Sequence, residues 1–195
     1  MPDVRRDWEQ IYKNKAAPWD VGQAEDALVK LINSDFIKPC KVLEIGCGAG
    51  NDAIFMAKKG FDVTAIDISK IAIEQAKKRA DKAGVRCNFL AEDITELKSV
   101  SDKFDFLYDR ACFHFIPEEK REKYIQAAKK LLVKDGYFVL IASSEKDPVK
   151  GPYQFSKNDI KQLFGKDFDI LEIKIITLEQ HKEKPTPYFC LMKKK

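Results

Sequence analysis

Short apolar runs alternate along the middle of the chain with segments whose apolar positions recur every three or four residues. Lys41–Ile45, Val63–Ile66, Arg86–Leu90, Phe104–Tyr108 and Tyr137–Ala142 read as strands, the last of them apolar throughout, as a strand covered on both faces is. The helix after the first run carries Ile54, Phe55 and Ala57 and stops at Lys58-Lys59-Gly60. Ser69 caps the next helix, which carries Ala72, Ala76, Ala80 and Ala83 and ends at Gly84. Pro117 with Glu118 and Glu119 opens a third, carrying Tyr124, Ala128, Leu131 and Leu132. Repeated β-α alternation predicts an α/β fold, a parallel sheet with helices on both faces.

Both ends depart from this rhythm. After a helix starting near Ser156, the runs Phe168–Thr177 and Tyr188–Met192 follow with no helix between them, which predicts an antiparallel pair or neighbouring strands at a sheet edge. Ahead of the first strand, Val4, Trp8, Ile11 and Tyr12 share one helical face, and Ala24, Ala27, Leu28, Leu31 and Ile32 share another. No repeat or low-complexity linker interrupts the chain. The expectation is one domain over residues 1–195, with residues 1–38 as an N-terminal helical cover.

Composition narrows the function classes. With 195 residues and 45% hydrophobic content, the chain can build a core without disulfides or metal. The net charge is only +4, and Lys193, Lys194 and Lys195 supply part of it, so nucleic acid is not an expected partner. No stretch approaches the roughly 18 apolar residues of a membrane span. The opening Met-Pro-Asp-Val-Arg-Arg-Asp does not read as a signal peptide, so no membrane association and a cytoplasmic location are expected. Cys40, Cys47, Cys87, Cys112 and Cys190 are scattered without a Cys-x-x-Cys pair, and His114 and His181 are the only histidines. Neither a disulfide framework nor a metal site is expected.

The chemistry is concentrated where the first apolar run meets Gly46-Cys47-Gly48-Ala49-Gly50. A buried strand that turns through glycines into a helix lets backbone N–H groups approach a ligand closely. The next run ends at Asp67, about 20 residues beyond the glycines, where doubly wound folds keep an acid for ribose hydroxyls. A nucleoside-containing cofactor follows. The dinucleotide fingerprint wants a third glycine where this chain has Asn51; the spacing here is Gly-x-Gly-x-Gly, with Glu44 inside the strand.

That combination, with Asp67 and Ala91-Glu92-Asp93-Ile94, resembles the cofactor motifs of class I S-adenosylmethionine methyltransferases. The resemblance implies a doubly wound, mostly parallel seven-stranded sheet of order 3-2-1-4-5-7-6 with strand seven antiparallel. It implies S-adenosyl-L-methionine as cofactor, S-adenosyl-L-homocysteine as its product, and no metal. Asp67 would take the ribose hydroxyls, Asp93 the adenine amine, the backbone of Ile94 the ring edge, and Asp109 the ammonium or the departing methyl. The opening Trp8-Glu-Gln-Ile-Tyr12 with Pro18-Trp19-Asp20-Val-Gly22 resembles that of the thiopurine, thiol and halide/thiocyanate methyltransferases, as do Tyr108-Asp109-Arg110 through Pro117 and Lys150-Gly151-Pro152-Tyr153. In that group the early aromatics close over cofactor and acceptor. The cofactor-binding positions it implies are Trp8, Tyr12, Trp19, Glu44, Gly46, Cys47, Gly48, Asp67, Ile68, Glu92, Asp93, Ile94 and Asp109. The acceptor-pocket positions are Asp109, Arg110, His114 and Tyr153, of which the last three could hold an anion.

Plainer roles stand beside these. Trp8 and Tyr12 also suit core packing, His114 a structural hydrogen bond, Cys47 and Cys112 packing, and Arg110 a local ion pair. The expected activity is SN2 methyl transfer to a small-molecule thiol or other soft nucleophile by a monomer or weak homodimer. Small-molecule O- or N-methylation, cofactor binding without turnover, and a nicotinamide-dependent oxidoreductase are the alternatives. No Asn/Asp-Pro-Pro-Tyr follows the fourth strand, which disfavours an adenine or glutamine N-methylase.

Overall fold

The apolar residues Val42, Leu43 and Ile45 are buried to within 1% of their surface, because the strand they form, β1 (Lys41–Ile45), is covered on both faces. The computed structural model describes residues 7–14, 17–149, 151 and 153–195. It contains a seven-stranded sheet in which β1 lies between β2 (Asp62–Asp67) and β4 (Phe104–Arg110). β3 (Asn88–Ala91) closes one edge; β5 (Leu132–Ala142), β7 (Tyr188–Lys194) and β6 (Phe168–Ile175) continue the other way. The order is β3-β2-β1-β4-β5-β7-β6, with β7 antiparallel to both neighbours and the pairs among β1–β5 parallel. This is the expected order and strand direction.

Strand alternation sorts the core into two layers. Val42, Val63, Ala65, Phe106 and Val139 face α2 (Asp26–Asn33), α3 (Asn51–Lys58) and α4 (Lys70–Ala83) through Leu28, Ile32, Ala53, Met56, Ala76 and Ala80. Leu43, Ile45, Leu107, Phe138 and Leu140 face α5 (Glu118–Leu131) and α6 (Lys157–Phe164) through Tyr124, Ala128, Ile160 and Phe164. The caps are largely those expected. Ser69 Oγ accepts from Ala72 N–H at 3.1 Å, Gly84 ends α4 at φ +68°, and Ser156 and Asp159 form a capping box on α6.

Some boundaries differ. Leu132, expected in the third helix, is already the first residue of β5; the backbone leaves α5 and becomes extended there. The left-handed turn at Asp135 and a register shift against β4 make the start of β5 irregular. β3 begins two residues later than expected, at Asn88, and β6 ends at Ile175. At the N-terminus, α1 (Trp8–Lys13) and α2 form; Ala24 precedes α2 rather than lying in it, and Val4 falls outside the described residues.

Candidate active site

The sheet order reverses between β1 and β4, and parallel strands leave a crevice at their C-terminal ends at such a point. The chain fills its floor with the glycine turn. Gly46, Gly48 and Gly50 take φ of +71°, +53° and +81°. A Cβ on Gly48 would stand 2.5 Å from Tyr12 Oη, and one on Gly46 would stand 2.5 Å from Cys112 Cβ. Both positions therefore need glycine for its backbone and for its lack of a side chain. Asp67, at the end of β2, is 9% exposed and clamps the turn: its Oδ2 accepts from Gly48 N–H at 2.8 Å and its Oδ1 from Ser69 N–H at 2.9 Å. Burial raises the Asp67 pKa even though these donors pull it down.

The N-terminal segment closes over this floor and is fastened at two points. Glu9 accepts from Ser69 Oγ, Lys70 N–H and Ile71 N–H at 2.8–3.2 Å, placing its charge on the open N–H groups of α4. Farther along, Asp20 accepts from Arg79 Nη1 and Nη2 at 2.7 and 2.6 Å and from Asn51 Nδ2 at 2.9 Å. Burial works against the Asp20 charge, but the bonds from Arg79 and Asn51 hold its pKa below the usual value. Between these points Trp19 Nε1 donates to Tyr12 Oη at 3.1 Å. Trp8 meets Trp19 and Phe115 edge-on, with centroids 5.7 and 4.8 Å apart.

Together these walls enclose a cavity of about 950 Å³ that reaches from Glu92 and Asp93 beyond β3 to the loop joining β6 and β7. Of the positions the motifs single out, Trp8, Tyr12, Trp19, Gly46, Cys47, Gly48, Asp67, Ile68, Glu92, Asp93, Ile94, Arg110 and His114 line it. Asp93 also caps the short 94–96 turn through Thr95 N–H at 2.8 Å, so one of its oxygens is already engaged.

Three expected positions do not line the cavity. Asp109 is fully buried beneath it, where its carboxyl accepts from Cys112 and Phe113 N–H and from the Tyr124 hydroxyl. Its burial pushes the pKa up to about 7. Glu44 is 3% exposed inside β1; burial and the neighbouring Asp52 raise its pKa well above the usual value. Tyr153 lines a separate recess of about 560 Å³, with the Arg121 guanidinium 4.4 Å from its ring centroid. The loop after β5 reaches the main cavity through Gly151 instead; Lys150 and Pro152 are outside the described residues.

The expected local pair for Arg110 is present. Its Nε is 2.6 Å from Asp52 Oδ2, and Asp52 Oδ1 accepts from Glu25 N–H at 2.7 Å, which joins β4, α3 and the start of α2 under the cavity. His114 Nδ1 accepts from Ser143 N–H at 3.1 Å, so that nitrogen carries no proton. Sequence motifs missed Phe115, Ser143, Asp147, Leu178, His181 and Lys182, all on the wall. The last three come from the β6–β7 loop. Gln180 Nε2 pins that loop by donating to Ala24 O at 3.1 Å and Asp26 Oδ1 at 2.5 Å, while His181 Nε2 and Glu25 Oε2 face each other at 3.7 Å.

Comparison with known proteins agrees with this architecture. A probable S-adenosyl-L-methionine-dependent methyltransferase, TehB of Haemophilus influenzae, is 28% identical over 150 residues, covering 75% of this chain and 52% of that protein. The chain thus spans about half the length of that relative. Thiocyanate methyltransferase 1 of Arabidopsis thaliana is 28% identical over 147 residues, 74% of this chain and 64% of its own. The solved 1,6-didemethyltoxoflavin-N1-methyltransferase of Burkholderia thailandensis shares the fold at a TM-score of 0.79 and 21% identity, over 96% of this chain and 85% of that one. The model of the thiopurine S-methyltransferase (TPMT) family matches residues 4–193, from the N-terminal cover through the last strand, and the chain belongs to that family.

Proposed function

We propose that the protein is an S-adenosylmethionine-dependent methyltransferase whose acceptor is a small molecule attacked through a thiol or another soft atom. The observation that carries this reading is Asp67, a carboxylate at the tip of β2 that lines the cavity beside a glycine turn no Cβ could enter. A carboxylate offers about four lone-pair directions, and two N–H bonds leave room for a pair of ribose hydroxyls. Ile68, 55% exposed, presents an apolar surface next to Asp67 for an adenine ring. Trp8, Tyr12, Trp19 and Phe115 line the same cavity, and aromatic faces attract a sulfonium as they do quaternary ammonium groups. The chain therefore fits the cofactor. When bound, S-adenosylmethionine supplies an electrophilic methyl group.

The protein's own contribution is alignment and exclusion of water, effects worth at best about 7–11 kcal/mol. Asp67, Ile68 and Asp93 would hold the adenosine at the β2–β3 end, and Arg110 at the end of β4 lines the cavity beyond them. Acceptor space is then bounded by His114, the loop after β5 and the β6–β7 loop. The thiocyanate methyltransferase among the relatives supports a soft acceptor atom. On this reading residues 1–38 cover the site of a single cytoplasmic domain that works without metal, as a monomer or weak homodimer.

Titration calorimetry with S-adenosylhomocysteine, followed by labelled-methyl transfer to thiols, thiones, halides, phenols and amines, tests the proposal. Cofactor binding with transfer to sulfur acceptors is expected. Transfer confined to phenols or amines would overturn the soft-atom assignment, and binding of NADH in place of S-adenosylhomocysteine would overturn the whole reading.

A further inference from the structure

β6 is the last strand of the sheet and, among the described residues, pairs only with β7. Ile176 continues its register, donating its N–H to Pro187 O at 3.0 Å, and this bond sets the alternation along the strand. Glu172 and Lys174 then turn their backbone groups toward β7, while Ile173 and Ile175 turn theirs to the open edge. Such a row of open N–H and C=O groups is a template for another strand, and natural edges are commonly blunted by charge, proline or a bulge. β6 has a register shift between Ile170 and Glu172, but residues 172–175 beyond it stay in regular register. No proline interrupts the stretch.

The side chains along this edge are self-complementary. Among the described residues four large apolar side chains are exposed, and two of them, Leu171 at 50% and Ile175 at 39%, lie on β6. Between them stand opposite charges, Glu172 and Lys174, 3.0 Å apart and about half exposed. The order Ile170-Leu-Glu-Ile173-Lys-Ile-Ile176 is its own complement about Ile173. An antiparallel copy centred there sets Glu172 opposite Lys174 and Leu171 opposite Ile175, once on each side of the axis. Moving the centre by one residue sets Lys174 against Lys174 or Glu172 against Glu172. Like charges directly opposite are destabilising, so the charge pattern selects one register.

We infer that β6 is a homodimerisation edge, on which a second copy of this chain adds its own β6 antiparallel about Ile173, so that the two seven-stranded sheets run on as one. The cross-strand pairs Glu172–Lys174 and Leu171–Ile175 carry the specificity of the contact. β6 runs parallel to β1–β5, so the two-fold axis turns the two cavities to opposite ends of the joined sheet, each with its own glycine turn. The loop that brings Leu178 to the cavity begins where the paired strand ends, and pairing therefore steadies the root of that wall. The inference goes beyond the methyl-transfer reading and does not depend on it. One strand contributes far fewer than the roughly 20–30 residues a side of a standard interface, so a dissociation constant of about 10–100 μM is expected.

Sedimentation velocity on the full chain, over a concentration series spanning that range, is expected to show monomer giving way to dimer. Lys174→Glu leaves two acids facing each other on each side of the axis, and Glu172→Lys leaves two bases. Each substitution alone is expected to weaken self-association about tenfold or more, through two lost pairs and two repulsions. Mixed in equal amounts, the two variants restore every cross-strand pair of charges and are expected to form a heterodimer about as tight as the wild-type dimer. Recovery on mixing is a readout that a folding defect in either variant would not produce. A wild-type chain that stays monomeric throughout the series would overturn the inference. So would a dimer that both variants keep at wild-type affinity, which places the contact on another surface. A mixture no tighter than the single variants rejects the pairing about Ile173, and with it the inference.

Discussion

Asp67 and Gly48 are joined by a hydrogen bond of 2.8 Å from the glycine N–H to the carboxylate Oδ2. The acid expected to take the ribose hydroxyls is therefore also the clamp on the turn beneath the cofactor. Sheet geometry makes this possible: β1 and β2 are parallel and end in register at Ile45 and Ile66, so the residues just beyond them meet.

Replacing Asp67 with alanine should therefore have two effects. Cofactor affinity is expected to fall tenfold or more, about the worth of bonds to a charged group, as read by calorimetry. Gly48 N–H also loses its partner, and a buried donor left unpaired costs about 1–3 kcal/mol, as read by denaturant unfolding. Unchanged cofactor affinity would reject the ribose role.

Tyr12 and Gly48 make a second coupled pair. A methyl at position 48 would meet Tyr12 Oη at 2.5 Å, so Gly48→Ala should displace Tyr12 and break its bond with Trp19. Adding Tyr12→Phe removes the obstructing oxygen and should recover part of the lost cofactor affinity. It cannot recover the strain of alanine at φ +53°. A double-mutant cycle with non-zero coupling checks the contact.

These relationships show what sequence could and could not reveal. The glycine turn, Asp67, Ile68 and Asp93 lie within motifs whose spacing follows the β-α-β path, so local reading reached them. The order of the sheet came with the same motifs and the final strand pair. Asp109 and Glu44 are expected at the ligand because the family resemblance of their motifs implies it. In the fold Asp109 turns inward, to Tyr124 and the 112–113 backbone, and Glu44 lies within β1. Tyr153 is only two residues from Gly151, yet the loop sends it to the far side of the wall. His181 and Leu178 reach the cavity because Gln180 ties their loop to α2, 154 residues away in sequence, and no local pattern encodes that.

The clasp between Asp20 and Arg79 should govern how the cofactor leaves. Arg79 is 37% exposed, and such pairs contribute about 1 kcal/mol or less to folding. Arg79→Ala is therefore expected to shift the unfolding midpoint little. It should speed cofactor dissociation several-fold in stopped-flow measurements, because Trp19 lies next to Asp20 on the same segment. An unchanged off-rate would show that Glu9, at the N-terminus of α4, holds the cover alone.

Asp109 should leave a signature in the pH dependence of stability. Its carboxyl is raised by burial to about 7, against an ordinary value near 4, so between these limits the folded protein binds a proton that the unfolded chain does not. The Tyr124 and backbone bonds oppose that shift without abolishing it. With more protons bound in the native state, the derivative of unfolding free energy with pH is negative. The contribution from this group is fully present below about pH 4, declines as pH rises, and is gone above about 7. Asp109→Asn keeps an oxygen for the 112–113 N–H groups and removes the titration, so its denaturant midpoints should decline less than the wild type's across this window. If wild type and variant keep parallel profiles from pH 4 to 7, Asp109 is ionised throughout, and the three donors around it outweigh its burial.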